Sequence, residues 1–409
     1  MANFIINNQS DTTIIGTPTQ DNFTFTGSGS NVFIDALSGD DTVQGPMNNS
    51  YTNVTVQGGI GVETIGGIGS FSLLVGNQGA DVFNLNAAGA NITVFGGQDN
   101  DTITATSGTQ ALLFGNMGND TINLNGFGAR STVFGGQNND TITGFGGQEY
   151  LSGDLGNDTI GDGGGSSSTL IGGDGRDTFN STGQVTLMLG NTGDDTFNAT
   201  GQGATIFGGQ GADIINYSNS AGLIFGNLDA DTITLNGGTT STTVFGGQGS
   251  DVINGSVAGS NNVIFGDLGN DQITVGAAML QTVNGGDGND RIVGSNAQDV
   301  FTGGGGTDIF DVTGTARMMN NVLTITDFAT GVDQVDIGGP TATSNNYSET
   351  VVNGGLTEAT AAAGGIAAGQ YIFVAGSTNG FLFQGSTNTV IQLSGLNNLA
   401  SFDVADITT

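Results

Sequence analysis

The chain of 409 residues has no cysteine, no histidine and no lysine; its only basic side chains are four arginines. Without cysteine there are no disulfides and no thiolate-held metals. Without histidine there are no imidazole zinc sites, no HExxH metalloprotease helix and no His-based catalytic triad. Against the four arginines stand 37 acids, giving a net charge of −33, the wrong sign for nucleic acid or an anionic membrane. No apolar run approaches the roughly 18–20 residues of a membrane span, so no membrane insertion is expected. The start, from Met1 to Asn7, lacks the basic and apolar regions of a cleaved signal peptide, and export is expected to use another route.

What is present is regular. A polyanion with few aromatics resembles a disordered chain, yet 36% of the residues are apolar and they recur at fixed phases. From Gly58 onward one phrase occurs fourteen times: Gly, then Gly, Asn or Asp, three variable residues, and an acid. Its first glycines are Gly58, Gly76, Gly96, Gly115, Gly135, Gly153, Gly172, Gly190, Gly208, Gly226, Gly246, Gly266, Gly285 and Gly303, spaced by 18, 19 or 20 residues. A fixed period of that size marks a solenoid of stacked coils. The acid is Glu63 in the first copy and Asp in the other thirteen.

Two columns per coil are apolar throughout. One lies two residues before the first glycine (Val94, Leu113, Val133, Leu151 and equivalents), the other two residues after the acid (Ile103, Ile122, Ile142, Ile160 and equivalents). Each sits in a short segment flanked by turn residues and reads as a strand with one inward position. The expected architecture is all-β: a right-handed parallel β-roll or β-solenoid of about 18–20 residues per coil, two sheets deep, with a small β-rich C-terminal cap. The expected organisation is an N-terminal cap and degenerate first coil over 1–40, the solenoid over 41–312, and a capping and secretion-signal region over 313–409.

The second turn of each coil, such as Ala199-Thr200-Gly201-Gln202, is mostly uncharged, so the acids are expected along one edge only. Coils stack about 4.8 Å apart, and a bare column of aspartates at that spacing repels. Ca²⁺ takes six to eight oxygens from carboxylates and backbone carbonyls, which adjacent Gly-Asp turns offer; Mg²⁺ keeps its water and fits less well.

These residues resemble the RTX family, whose nonapeptide Gly-Gly-x-Gly-x-Asp-x-hydrophobic-x forms a parallel β-roll that folds on calcium. Gly172-Gly173-Asp174-Gly175-Arg176-Asp177-Thr178-Phe179 and Gly285-Gly286-Asp287-Gly288-Asn289-Asp290-Arg291-Ile292 match it at every defined position. The resemblance implies calcium ligands from the side chains of Asp81, Asp101, Asp120, Asp140, Asp158, Asp177, Asp195, Asp213, Asp231, Asp251, Asp271, Asp290 and Asp308, with Asp41 and Glu63 at the start. It implies backbone carbonyl ligands from Gly76, Gly96, Gly115, Gly135, Gly153, Gly172, Gly190, Gly208, Gly226, Gly246, Gly266 and Gly285. Gly16 to Phe23 looks like a degenerate further turn around Asp21. Ordinary members carry the phrase on both edges, whereas here it occurs once per coil and falls to a spacing of nine only at Asp290, Asp299 and Asp308. That arrangement is similar to the antifreeze region of large bacterial adhesins, which binds ice through Thr and Asn ranks in the turn. Here the third turn position reads Gln98, Met117, Gln137, Leu155, Asp174 and Thr192, with no threonine file.

The tail extends the likeness. The segment 325–337 resembles the piece that closes many RTX rolls, and 402–407 resembles a type I secretion signal. Tyr371 to Val374, Phe381 to Phe383 and Val390 to Leu393 read as strands, and Leu356 to Ala363 as a short helix.

A second period spans two coils. The residue after the first glycine alternates (Asn77, Gly97, Asn116, Gly136, Asp154, Gly173), and so does the residue three before it (Leu73, Thr93, Leu112, Thr132). The residue before the first glycine is Phe at 95, 114, 134, 207, 225, 245 and 265. Both columns neighbour inward positions and should face out, making an apolar strip of the kind that marks interfaces. The opposite sheet should present a polar face of Thr102, Thr121, Thr141, Thr159, Thr178, Asn123, Asn180 and Asn198.

The function expected is a secreted, calcium-dependent structural protein that assembles with itself into a coat or surface layer. The alternative is an adhesin, or a module binding carbohydrate or ice. Expected partners are other copies through the Phe face, the type I secretion machinery and surface polysaccharide. An enzyme is not expected: no carboxylate pair stands apart from the repeat as glycoside chemistry requires.

Overall fold

The computed structural model describes all residues except 46–49, 86–90, 109, 127–128, 277–279, 295–297, 314–321, 386–388 and 409. The chain divides into two compact units, Met1–Gln210 and Gly211–Thr409. Both are built of parallel stacked coils forming β-solenoid, as the period required.

In the first unit a coil consists of a six-residue strand, a glycine turn, a shorter strand and a second turn. Thr93–Gln98 is followed by Thr102–Ala105, then Leu112–Met117 by Thr121–Asn123, and the alternation continues to Thr205–Gln210. Every strand pairs in parallel with its equivalent one coil away, in register: Val94 lies opposite Leu74 and Leu113, and Ile103 opposite Phe83 and Ile122. The coils begin as early as Ala2–Asn7, which pairs with Asp21–Thr26.

The inward columns form the core. Val94, Ile103, Leu113, Ile122, Val133 and Ile142 have no measurable exposure, each contributing about 1.5–3 kcal/mol on burial. Val94 is buried and Phe95 only half-buried, so the Phe column faces outward. Its rings stack along the sheet: Phe95 on Phe114 at 4.7 Å between centroids and Phe114 on Phe134 at 5.2 Å. In-register parallel pairing makes such like-on-like files unavoidable once the repeat is set.

The alternation after the first glycine has a backbone cause. This position always has positive φ, but in two forms: Asn77, Asn116, Asp154 and Asn191 lie at 75–82°, whereas Gly97, Gly136 and Gly173 lie at 118–128°. The first is the left-handed region that Asn and Asp tolerate. The second is open to glycine, and a Cβ on Gly97 would also run into the carbonyl of Asn77. Successive coils therefore differ in turn geometry, which gives the two-coil unit a steric basis.

The second unit repeats the scheme from Ile214–Tyr217 to Ile309–Asp311. Beyond it, Leu323–Ile325 pairs with Val300–Gly305 and Gln334–Asp336 with Ile309–Asp311. Thr389–Ser394 adds in parallel to Leu323–Ile325 and turns the sheet antiparallel through Asn379–Gln384 and Tyr371–Ala375. The helix Leu356–Ala362 buries Ala359 against Ile372, Val374, Phe381, Phe383 and Val390. The three strands and the helix read in the tail are all present.

Candidate metal-binding ladder

Each coil brings its acid to the start of the shorter strand, on the inward side. The carboxylates are not displayed on the rim of the turn: every one from Asp41 to Asp308 in the column is at most 2% exposed. The aspartates use one oxygen in the same way, accepting the backbone N–H of the acid one coil earlier. In the first unit Asp81 N–H donates to Asp101 Oδ1 at 2.8 Å, Asp101 to Asp120, Asp120 to Asp140 and Asp140 to Asp158 at 2.7 Å, Asp158 to Asp177 at 2.8 Å and Asp177 to Asp195 at 2.7 Å. In the second unit the same bond links Asp213 to Asp231, Asp231 to Asp251 and Asp251 to Asp271 at 2.8 Å, and Asp271 to Asp290 and Asp290 to Asp308 at 2.9 Å.

The other oxygen is the anomaly. Oδ2 of Asp41, Asp81, Asp101, Asp120, Asp140, Asp158 and Asp177, and of Asp231, Asp251, Asp271, Asp290 and Asp308, is buried with no hydrogen-bond partner. It points beneath the first glycine of its own coil: a Cβ on Gly76, Gly96, Gly115, Gly135, Gly153, Gly172, Gly190, Gly226, Gly246, Gly266 or Gly285 would strike that carboxylate. The same Cβ on Gly76 would meet the carbonyl of Gly96. The Gly115, Gly135, Gly153, Gly190 and Gly208 carbonyls approach the preceding glycine likewise, as do those of Gly246, Gly266 and Gly285 in the second unit. Gly172 and Gly226 enter as the cradle over Asp177 and Asp231. Every glycine named from the sequence thus lines the column, because only a residue without Cβ leaves room there.

Burial in an oxygen-lined column disfavours charge. Burial, with neighbouring carboxylates adding to it, pushes Asp101, Asp140 and Asp231 up to about 8 and Asp177 to about 7. Burial likewise takes Asp41, Asp120, Asp158, Asp251, Asp271, Asp290 and Asp308 to about 6.

Neutral side chains make the same inter-coil bond elsewhere. On the exposed side of the turn, Asn119 N–H donates to Asn100 Oδ1 at 2.7 Å and Asn289 N–H to Asn270 Oδ1 at 2.7 Å. On the second edge, Ala111 N–H reaches Ser131 Oγ at 3.2 Å, Thr242 N–H reaches Asn262 Oδ1 at 3.0 Å and Asn262 N–H reaches Gln281 Oε1 at 3.2 Å. An amide or hydroxyl therefore satisfies the backbone donor, and the charge of the aspartate column is surplus to that need. Hard, all-oxygen surroundings with an unsatisfied carboxylate suit a divalent cation of the calcium type.

Two acids were not singled out as ligands in the sequence: Asp21, which begins the column of the first unit, and Asp333, which closes that of the second. Asp21 binds Asp41 from the far side, and its own carboxylate is taken up by the Ala2 and Thr17 N–H groups and the Thr17 hydroxyl. Asp333 accepts the Asp308 N–H at 3.0 Å through Oδ1, and the Ala329 N–H at 2.7 Å through Oδ2. Both end carboxylates are filled by protein donors. The irregular spacing, 25 residues from Asp308 to Asp333, hid the second of them.

The expectation that the acids keep to one edge needs correction. Glu149, Asp162 and Asp299 are buried there. Asp162 collects the Ser181 and Thr186 hydroxyls and the Thr182, Gly183 and Gly164 N–H groups. Glu149 accepts from Phe145 and Gly146 beneath a cradle at Gly144. Asp299 is the acid that the nine-residue spacing marked; Glu149 and Asp162 are held by protein hydrogen bonds, and the repeat did not mark them.

Fold and column together define a parallel β-solenoid with a buried carboxylate repeated at the same place coil after coil. The family model described as RTX calcium-binding nonapeptide repeat matches residues 24–45, 93–109, 125–160, 189–222, 236–273 and 282–312. The chain belongs to the RTX calcium-binding repeat family. No curated protein matches it significantly. Among the described residues no helix is long and apolar enough to cross a membrane.

Proposed function

We propose that this is a secreted structural protein of the cell surface whose coils are locked by calcium ions filling the aspartate column, and which assembles laterally with its own copies. The observation that carries the reading is the buried, partnerless Oδ2 repeated coil after coil beside neutral ladders that need no charge. The residues that would hold the metal are the column acids and the glycine carbonyls over them; the ion would supply the positive charge that the chain lacks. Extracellular calcium modules bind at about 0.1–1 mM, so the chain stays open in a low-calcium cytoplasm and folds outside. The stacked outward files Phe95, Phe114 and Phe134, and Phe225, Phe245 and Phe265, support lateral assembly, since continuous apolar strips mark interfaces.

Circular dichroism with EGTA and with millimolar calcium tests the folding half; identical β signal in both ends it. Negative-stain microscopy of the calcium-loaded protein tests the assembly half, with ordered sheets expected and dispersed monomers against it. A second reading, a module that binds a regular surface such as polysaccharide or ice, is favoured by one alignment. Thr102, Thr121, Thr141, Thr159, Thr178 and Thr196 stand directly opposite one another on the polar sheet. Binding retained by a dispersed monomer would support it over the coat.

A further inference from the structure

One coil departs from the column in a way that the repeat does not require. Glu63 replaces aspartate and has no exposed surface. Its backbone N–H keeps the standard bond, to Asp81 Oδ1 at 2.8 Å. Its longer side chain also brings its carboxylate within hydrogen-bonding reach of the Asp81 carboxylate. When both are ionised, neither group carries a donor. Both Glu63 oxygens and Asp81 Oδ2 are buried without a partner. Glu63 Oε2 and the Gly76 carbonyl oxygen converge: they lie 2.9 and 2.7 Å from the point where a Cβ on Gly58 would stand. On its other side, a Cβ on Gly61 would meet Glu63 Oε1 at 3.2 Å and also the Gly39 carbonyl.

We infer that Glu63 and Asp81 form a distinct divalent-cation site, tighter than the other positions of the column. The inference rests on the reading that the column takes up calcium, and adds that its sites are unequal. Elsewhere the bonded carboxylates meet through a backbone N–H, which separates consecutive charges. Here two carboxylates face each other directly, and their repulsion is relieved either by a proton shared between them or by a cation that displaces it. One divalent ion neutralises both, with carbonyls from neighbouring coils at hand. Two full charges near the ion, in a water-poor interior, attract it about twice as strongly as a single one. The glutamate reaches across the gap that an aspartate leaves.

The test is calcium binding by the full chain at neutral pH, followed by calorimetry and equilibrium dialysis, for wild type, Glu63→Gln, Glu63→Asp and Asp140→Asn. The wild type should show one class of site at least about tenfold tighter than the rest. Glu63→Gln should lose that class. Glu63→Asp, which restores the residue of the other coils and keeps the charge, should merge it with the ordinary sites at unchanged total calcium. Asp140→Asn should reduce the ordinary class and leave the tight one. A single class in the wild type, or a tight class surviving Glu63→Gln, overturns the Glu63 site while leaving the column reading intact. No calcium bound at all removes both. Dichroism in saturating calcium establishes that each variant folds, and Glu63→Asp keeps the comparison open should Glu63→Gln not fold.

Discussion

The backbone N–H of Asp101 ends on Asp120 Oδ1 at 2.7 Å, and the second oxygen of Asp120, fully enclosed, ends on nothing. A side chain half used and half abandoned inside a protein is costly, about 1–3 kcal/mol for a buried unsatisfied group and more when charged. Repeated along each unit, that cost is large enough to decide whether the calcium-free chain folds.

Replacing Asp140 by Asn isolates the charge. Asn keeps an acceptor for the Asp120 N–H, now at 2.7 Å, and removes the anion. In EGTA the variant should gain about 1–3 kcal/mol, read as a higher denaturation midpoint. In millimolar calcium it should bind less metal and lose its advantage. A variant less stable than wild type in EGTA would mean that the charge itself supports the fold.

Protons should replace calcium. Because burial raises the column acids to about 6 for Asp120 and Asp271 and about 8 for Asp101 and Asp231, the folded state binds protons more tightly than the unfolded one. The corresponding stability is fully present below the unfolded carboxylate value of about 4, and is lost as pH rises through the folded values. In EGTA the β signal should therefore be strong near pH 5 and decay between about 6 and 8; adding calcium at pH 8 should restore it. A calcium-free fold that strengthens with rising pH would reverse the sign and refute the assignment.

Much of this is legible in the sequence, for a physical reason. In a parallel solenoid each column of the sequence is a file in space, so apolar identity at Val94 or Ile103 reports burial directly, and the Phe95 file could be placed outward by parity alone. The carboxylate column was legible for the same reason. Its inward position was not, because turn residues such as Gly96 and Asp101 look alike whether they face water or the core. Asp333 was not, because it lies 25 residues beyond Asp308, outside the regular spacing; Asp21 was read as the centre of a degenerate turn, but the Thr17 donors that fill its carboxylate are marked by no repeat. Asp162 was missed because its partners, Ser181 and Thr186, lie in another coil and are ordinary polar residues by type.

Turn geometry predicts an asymmetry between adjacent coils. At Asn116, φ is 80°, a value that non-glycine residues reach at about 1–2 kcal/mol; Asn116→Ala should cost about that much and Asn116→Gly little. At Gly97, φ is 128° and a Cβ would collide with the Asn77 carbonyl. Gly97→Ala should cost clearly more, beyond the 1–3 kcal/mol of backbone strain alone. Thermal denaturation in saturating calcium measures both, and equal costs would remove the steric account of the two-coil unit.

The second edge offers the control that separates folding from metal. Asn262 Oδ1 accepts the Thr242 N–H at 3.0 Å, its amide donates to the Gly259 carbonyl at 2.8 Å, and its own N–H reaches Gln281. Asn262→Ala strands the Thr242 donor in the interior, at a cost of about 1–3 kcal/mol. The loss should appear equally in EGTA at pH 5 and in calcium at pH 8, since no carboxylate of the column is touched. Calcium stoichiometry should stay that of the wild type. If the variant instead lost calcium in step with its stability, the two edges would be coupled, and the neutral ladder could no longer stand as evidence that the aspartate charge serves the metal.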